Sequence, residues 1–377
     1  MAERDFPDAE FEARLERLHA LMRAERLDAL LATTEAEMRY FTGFRTLFWQ
    51  SPTRPWFLVV PAAGKPVAVI PGIGVPLMEK AWTGDIVSWS SPDPDDDGVS
   101  LLARVLKPFG RIGMPMGRES SLRMPLADFE RLRAMLRAEF VDASAIVARV
   151  RMVKSEAEIA RIAAICAIAS AGFARAGDLF HAGQPLKEAF RAFRTELLRL
   201  GADDVPYLVG GAGQGGYADV ISPPDAAPLR PGDVLMLDTG ATLDGYFCDF
   251  DRNWAIGHAG EAARAAHRTL HAATEAALDA ARPGVRCSEL FAIMARIIGG
   301  DAGNVGRLGH GLGIQLTEQP SITGFDDTVL RPGMVMTLEP GMACGPGRML
   351  VHEENIVIRD GPAELLSART PEELPVI

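Results

Sequence analysis

Val234-Leu235-Met236-Leu237-Asp238-Thr239-Gly240 and Tyr246-Phe247-Cys248-Asp249-Phe250-Asp251-Arg252 are two strand-like runs in which acidic residues stand among apolar neighbours. Between them, Leu243-Asp244-Gly245 has the composition of a tight turn, so the stretch is predicted to form a β-hairpin. Two residues face each other across a hairpin when the mean of their residue numbers falls within the turn. This holds for Asp238 with Asp249 and also for Asp238 with Asp251. Because side chains two residues apart share one side of a strand, the geometry does not choose between the two aspartates.

A pair of aspartates on this hairpin has an electrostatic consequence. Two carboxylates held close together on a partly buried sheet repel each other and lose hydration, so they are stable only when something positive lies between them. A divalent metal ion is the simplest candidate. The alternative is that Asp251 pairs with Arg252 or another base at the surface, and that this face of the hairpin is solvated.

Three segments nearer the C-terminus add residues of metal-ligand type. His310 lies in the GHGLG run at 309–313, where glycines allow the backbone to pack closely around an imidazole or a ligand. Glu339 ends an apolar run before a Pro-Gly turn, and Glu353 and Glu354 enter another apolar run. Taken singly, each could be an ordinary core or solvated residue. Together, two Asp, one His and two Glu form an oxygen-rich set suited to two divalent ions such as Mn, Co or Zn.

Signatures of several other enzyme classes do not occur in the sequence. We find no G-x-S-x-G nucleophile elbow, no phosphate-binding G-x-x-x-x-G-K-[ST] and no H-E-x-x-H zinc motif. The glycine-rich run at 210–216 has spacings of nucleotide-binding type but no helical pattern after it. We predict that this run is a loop.

Length, composition and charge narrow the possibilities further. The 377 residues favour two domains, at roughly 100–200 residues per domain. A content of 48% hydrophobic and 24% charged residues is typical of a globular protein rather than a disordered or fibrous one. The net charge of −11, without a Lys/Arg cluster, argues against a nucleic-acid partner. Four widely spaced cysteines predict a cytoplasmic protein, and the polar N-terminus and lack of long apolar runs predict neither export nor a membrane anchor.

The N-terminal half alternates helix and strand patterns. An amphipathic helix over 11–26 leads into a strand at 29–32, and two more strands, at 56–60 and 66–70, are spaced for a hairpin. The polar run at 90–98 is predicted to be a surface loop. We expect the domain boundary near Arg149, because Ser155 and Glu158 form a capping box that opens a long Ala/Ile-rich helix. Further helices are predicted over 186–200 and 261–281, and paired strands over 234–256.

The ordered motifs resemble the creatinase / Xaa-Pro aminopeptidase superfamily of pita-bread metallohydrolases. They are D-T-G, C-D-F-D-R, G-H-G-L-G, T-L-E-P-G and H-E-E-N-I-V-I, and they cover the second half of the chain. The run R-Y-F-T-G-F at 39–44 and the start of the helix after Lys154 also look like the family. The resemblance implies an α/β creatinase-like domain over 1–149 and an α+β pita-bread catalytic domain over 150–377.

The resemblance also implies a ligand set for two divalent ions. In that set Asp238 binds one ion in bidentate fashion, Asp249 and Glu353 bridge the two ions, and His310 and Glu339 complete the other shell. In the family a metal-bridging water or hydroxide attacks an amide carbonyl. The glutamate at position 339 would then take the proton and pass it to the leaving nitrogen.

Two choices that the residues alone left open follow from family spacing. The family ligand stands three residues before the arginine that is Arg252 here, which favours Asp249 over Asp251. The family's E-x-x-I-V spacing fits Glu353 rather than Glu354.

The chain departs from Xaa-Pro peptidases at three positions outside the ligand set. Two positions where those enzymes carry histidine are Thr317 and Ile221 here, and the arginine expected two residues before the last glutamate is Val351, next to His352. We therefore expect intact metal chemistry with a changed pocket that includes Thr317 and His352. The default substrate is a Xaa-Pro dipeptide. The alternatives are a hydrolase or lyase of a non-peptide small molecule, and a non-catalytic binding module, which the complete ligand set disfavours.

Aromatic residues are concentrated around one arginine at 48–56. The simplest interpretation is a packed start of a loop. In the family, however, an N-terminal-domain loop of the neighbouring subunit reaches the active site of a dimer, so Trp49 and Arg54 could line a pocket there. The resemblance thus implies a homodimer. It also implies that the protein binds a dipeptide or small-molecule substrate.

Overall fold

The computed structural model describes residues 6–51, 54–299 and 306–377. The chain forms two units, Met1–Arg151 and Met152–Ile377. The division lies two residues after the boundary proposed from the capping box. That capping box is present, because the Ser155 side chain accepts from the Glu158 N–H while Glu158 accepts from the Ser155 N–H.

The first unit is built on one six-stranded mixed sheet. Its strands are β1 Ala29–Ala32, β2 Phe57–Pro61, β3 Val67–Pro71, β4 Ile86–Trp89, β5 Arg111–Met114 and β6 Glu139–Asp142. Their spatial order is β4-β3-β2-β1-β5-β6, and β2 and β3 pair antiparallel as the predicted hairpin. The helices are α1 Asp8–Ala24, α2 Glu35–Thr42, α3 Val75–Met78, α4 Val99–Leu106, α5 Leu126–Met135 and α6 Ser144–Met152. One core cluster lies between this sheet and helices α4 and α5.

The second unit combines helices with two larger sheets and a two-stranded ribbon. Its helices are α7 Glu156–Phe173, α8 Ala176–Leu179, α9 Leu186–Arg199, α10 Glu261–Ala280 and α11 Cys287–Ile298. Its first strands are β7 Asp204–Gln214, β8 Asp233–Leu243, β9 Tyr246–Phe247 and β10 Phe250–Ala255. The remaining strands are β11 His310–Gly311, β12 Glu318–Ser321, β13 Val335–Leu338, β14 Gly341–Gly345, β15 Arg348–Val351, β16 Glu354–Val357 and β17 Glu364–Leu365.

The sheet order of the second unit brings distant segments of the chain together. One sheet has the order β10-β8-β7 with β9 also pairing with β8, and the other has the order β12-β11-β13-β16-β17. The predicted hairpin is confirmed as the antiparallel pair β8–β10. Among the described residues, no helix is both long and apolar enough to cross a membrane.

The prediction of a loop at 210–216 was wrong for most of that run. Strand β7 extends through Gln214 and pairs with β8 along its length. The glycines are needed because neighbouring backbone lies very close: a Cβ on Gly210 would stand 2.1 Å from the Met236 carbonyl oxygen, and Gly210 has φ +145°. A glycine-rich segment can therefore be a strand where close backbone approach replaces side-chain packing.

Candidate metal centre

The β8–β10 ladder separates the two aspartates that the sequence left as alternatives. Asp251 lies directly opposite Asp238 in the register, whereas Asp249 lies in the short link between β9 and β10. Both are buried. The residue that faces Asp238 across the hairpin is therefore not the one that joins His310 and Glu353.

Asp249, His310 and Glu353 form one buried cluster. One ligand-type atom from each of the three lies within 4.8 Å of the other two. Asp249 lies in the link between β9 and β10, His310 lies in β11, and Glu353 lies in the link between β15 and β16. The cluster thus forms where two links and one short strand meet. Close backbone packing supports the histidine, because a Cβ on Gly309 would lie 2.3 Å from the Thr337 carbonyl oxygen.

The hydrogen bonding of His310 fixes which ring nitrogen is available. Nδ1 lies 2.9 Å from the carbonyl oxygen of Gly311, which can only accept, so Nδ1 carries the proton. Burial, together with the charge of Arg307, lowers the pKa of His310 to about 4, so the ring is neutral and Nε2 carries a lone pair. That Nε2 is 3.3 Å from Asp249 Oδ2 and 3.9 Å from Glu339 Oε2. A lone pair facing carboxylate oxygens at these distances fits a cation between them.

The carboxylates of the site share the same electrostatic problem. Burial and the charge of Glu339 raise the pKa of Asp238 to about 7, and burial raises that of Glu339 to about 7. Burial and the neighbouring acids raise the pKa values of Asp249 and Glu353 well above their usual range. In addition, Asp238 Oδ1 and Glu353 Oε1 are buried without a hydrogen-bond partner among the residues that the structure describes. Unpartnered oxygens among mutually repelling acids are the donor set that divalent cations require.

Two further residues at this site were not found from the sequence. The Tyr207 side chain lowers the pKa of Asp238, and Arg307 acts electrostatically on Asp249 and Glu339 by lowering their pKa values. Tyr207 precedes Val209, the register partner of Asp238, by two positions, so period-two counting along β7 would have found it. The predicted loop over the following glycine run hides this signal in the sequence.

The residues predicted for the substrate pocket lie in different surroundings. Thr317 is partly buried and accepts a hydrogen bond from Arg307 Nη2 at 3.4 Å, which links it to the charged site. His352 is buried, and its ring lies 6.1 Å from those of His267 and His271 on α10. Its imidazole therefore packs among the histidines of that helix.

Trp49 and Arg54 belong to the first unit and make contacts inside it. Trp49 packs against Trp56 at 5.9 Å between ring centroids. The guanidinium of Arg123 lies over the Trp49 ring, with its Cζ 4.8 Å from the ring centroid. Arg54 lies over the ring of Phe48. These contacts agree with the packed-loop interpretation of the aromatic run.

Comparison with known proteins gives this centre a family. The sequence model of metallopeptidase family M24 matches residues 160–360, and that of the creatinase/prolidase N-terminal domain matches residues 14–153. The chain belongs to metallopeptidase family M24. The predicted creatinase-like and pita-bread architecture is thereby confirmed, and the protein is a hydrolase of the peptidase type that the family name describes. Membership also implies divalent metal ions, for which the buried cluster supplies the ligand types.

Individual relatives in family M24 match almost the whole chain. The probable dipeptidase PepE of Mycobacterium tuberculosis is 30% identical over 380 residues, which cover 98% of both chains. The Xaa-Pro dipeptidase of Lactobacillus delbrueckii subsp. lactis is 26% identical over 92% of this chain and 95% of its own. The crystal structure of dipeptidase PepE from Mycobacterium ulcerans superposes with a TM-score of 0.85 at 27% identity, covering 98% of this chain and 99% of the other.

The raised pKa values at this M24 centre predict a pH dependence of metal-induced stabilisation. In the metal-free protein, Asp238 and Glu339 titrate near pH 7 when folded but near pH 4 when unfolded. Between these values the folded state binds more protons, so their contribution to stability is present at low pH and is lost as pH rises through about 7. Metal ions would balance the charges that appear.

We therefore expect added Mn²⁺ to raise the Tm by more at pH 8 than at pH 5.5. Differential scanning fluorimetry with and without metal measures this difference directly. A metal-induced shift that is equal at both pH values would contradict the assignment of these carboxylates.

Proposed function

We propose that the protein is a dinuclear metal-dependent dipeptidase acting on Xaa-Pro substrates. The observation that carries the proposal is the lone pair of His310 Nε2 at 3.3 Å from Asp249 Oδ2, within a buried group of acids. The residues that would hold two divalent ions, Mn, Co or Zn, are Asp238, Asp249, His310, Glu339 and Glu353. When bound, the ions would supply Lewis acidity, which lowers the pKa of water at the site and balances negative charge on the carbonyl oxygen.

Glu339 is the residue suited to move the proton. Its side chain is 31% exposed, whereas those of His310 and Asp249 are 4% and 5% exposed, so Glu339 is the one of these three that is accessible to solvent. A carboxylate that is accessible from solvent can accept a proton as a general base and return it as a general acid. Glu339 would accept the proton of the attacking water and deliver it to the leaving nitrogen of the amide.

The choice of substrate class is supported by relatives and by charge. Similar proteins carry the names dipeptidase and Xaa-Pro dipeptidase. Within the described residues, the side chain of Arg307 makes one hydrogen bond, the 3.4 Å contact with Thr317, so most of its donors remain for a ligand. We propose that this guanidinium meets the free carboxylate of a dipeptide, at a site where Thr317 stands in place of a histidine. The homodimer and the cytoplasmic location stay predictions.

A panel of Xaa-Pro dipeptides, each with and without a C-terminal amide, tests the proposal after loading with Mn²⁺. We expect hydrolysis of the free dipeptides, and a higher KM for the amides because they lack the charge that Arg307 would bind. No turnover of any Xaa-Pro dipeptide would refute the proposed specificity. In that case a non-peptide small molecule, the alternative motivated by Thr317, Ile221 and Val351, becomes the substrate class to screen.

A further inference from the structure

The backbone at Asp249 depends on a side chain from another sheet. Asp249 immediately precedes β10, which is an edge strand of its sheet, so a backbone group here that points away from β8 needs a partner from outside that sheet. The Asp249 N–H donates to Asn355 Oδ1 at 2.9 Å, and the Asp249 carbonyl oxygen accepts from Asn355 Nδ2. One side-chain amide thus satisfies both backbone groups of this residue, as a neighbouring strand would.

The reverse arrangement holds at Glu353. Its N–H donates to Asp251 Oδ1 at 2.8 Å. The two segments therefore brace each other: the side chain of Asn355 binds the backbone of Asp249, and the side chain of Asp251 binds the backbone of Glu353. In each segment, the bracing residue stands two positions after the braced one.

Both bracing side chains are held firmly. Asn355 is fully buried, and its Oδ1 also lies 3.3 Å from the thiol of Cys166. Because Oδ1 receives an N–H, the orientation of the amide is fixed by its surroundings. Asp251 is 1% exposed, and its Oδ2 lies 3.4 Å from Nδ2 of Asn253. A buried side chain that is fixed by hydrogen bonds holds its own binding partner in a defined position.

We propose that Asp251 and Asn355 are positioning residues that form a reciprocal clamp setting the separation of the Asp249 and Glu353 carboxylates. The inference rests on the proposed role of those two carboxylates as shared metal ligands. It gives Asp251 a function as a support that holds Glu353 in place. Groups that orient metal ligands typically change metal affinity by about 10–100-fold when they are replaced.

Matched substitutions separate the hydrogen bond from charge and from bulk. Asp251→Asn keeps an acceptor for the Glu353 N–H but removes the charge, whereas Asp251→Leu has similar size and no acceptor. Asn355→Leu removes both bonds to Asp249. Gln184→Leu is the control, because Gln184 is a buried amide that bonds the Leu179 carbonyl oxygen instead of a ligand or clamp residue.

The readouts are the dissociation constants for Mn²⁺ by isothermal titration calorimetry and the visible absorption of the Co²⁺-loaded protein, with folding checked by circular dichroism. We expect Asp251→Leu and Asn355→Leu to weaken binding by about 10–100-fold and to alter the Co²⁺ spectrum. Asp251→Asn and Gln184→Leu should remain close to wild type. If Asn355→Leu does not fold, Asn355→Gln keeps the amide but displaces it, and should also weaken binding.

Three results would overturn the clamp: unchanged metal binding in Asp251→Leu and Asn355→Leu, an equal loss in Gln184→Leu, or a loss in Asp251→Asn as large as in Asp251→Leu. These differ from a failure of the proposed function, which would appear as absent metal binding or absent peptidase activity in the wild-type protein.

Discussion

Asp249→Ala is expected to abolish peptide hydrolysis and to remove metal from the protein. The Asp249 carboxylate lies against His310 Nε2 in the buried cluster, and its removal takes away one of the charges that a pair of divalent ions would need. Metal ions stabilise transition-state charge by several kcal/mol, so a loss of about 4 kcal/mol corresponds to about 10³-fold in rate. Activity on the best Xaa-Pro dipeptide and metal content by atomic absorption measure the two effects.

Asp279→Ala is the matched control for this substitution. Asp279 is an exposed aspartate on α10, so its loss should leave both activity and metal content unchanged. Asp249→Ala that retains two ions at full stoichiometry would refute the ligand assignment. Loss of metal without loss of activity would refute the metal-dependent reaction.

Glu339→Gln is expected to lower kcat by about 10²–10⁴-fold, the usual contribution of a positioned acid–base group. Glutamine keeps a ligand oxygen but cannot accept and return a proton. Metal content should therefore fall less in Glu339→Gln than in Glu339→Ala. Because the partly exposed carboxylate is the proposed proton carrier, the remaining activity should also lose the limb of the pH–rate profile that Glu339 produces.

Comparing kcat, metal content and pH profile separates the two roles of Glu339. A glutamine variant with wild-type kcat would show that another group moves the proton. A glutamine variant that loses metal as completely as the alanine variant would show that ligation requires the negative charge.

The hairpin illustrates how far the sequence alone could reach. The mean of the residue numbers allowed Asp238 to face Asp251, and the register of β8 and β10 confirms that pairing. The position of Asp249 could not be derived in this way. It depends on Asn355, which lies in another sheet and forms hydrogen bonds with both backbone groups of Asp249. Local pattern predicts which residues share a face, whereas contacts between sheets decide which of them meet.

The same limit applies to the rest of the site. Family spacing selected five residues. The structure brings Asp249, His310 and Glu353 together, and Asp238 and Glu339 act electrostatically on the two carboxylates of this cluster. Tyr207 and Arg307 carry no motif of their own. Tyr207 could be found by counting along β7 once that segment is recognised as a strand, whereas the place of Arg307 beside His310 depends on the three-dimensional fold.

The proton on His310 is held by a main-chain carbonyl, that of Gly311. No substitution elsewhere can delete this acceptor, because every residue type carries a carbonyl group. The choice of ring nitrogen is thus protected against point mutation, and side-chain scanning would not reveal it. Attempts to change which metal the centre prefers should therefore alter its carboxylates, because a backbone carbonyl group fixes which imidazole nitrogen is available.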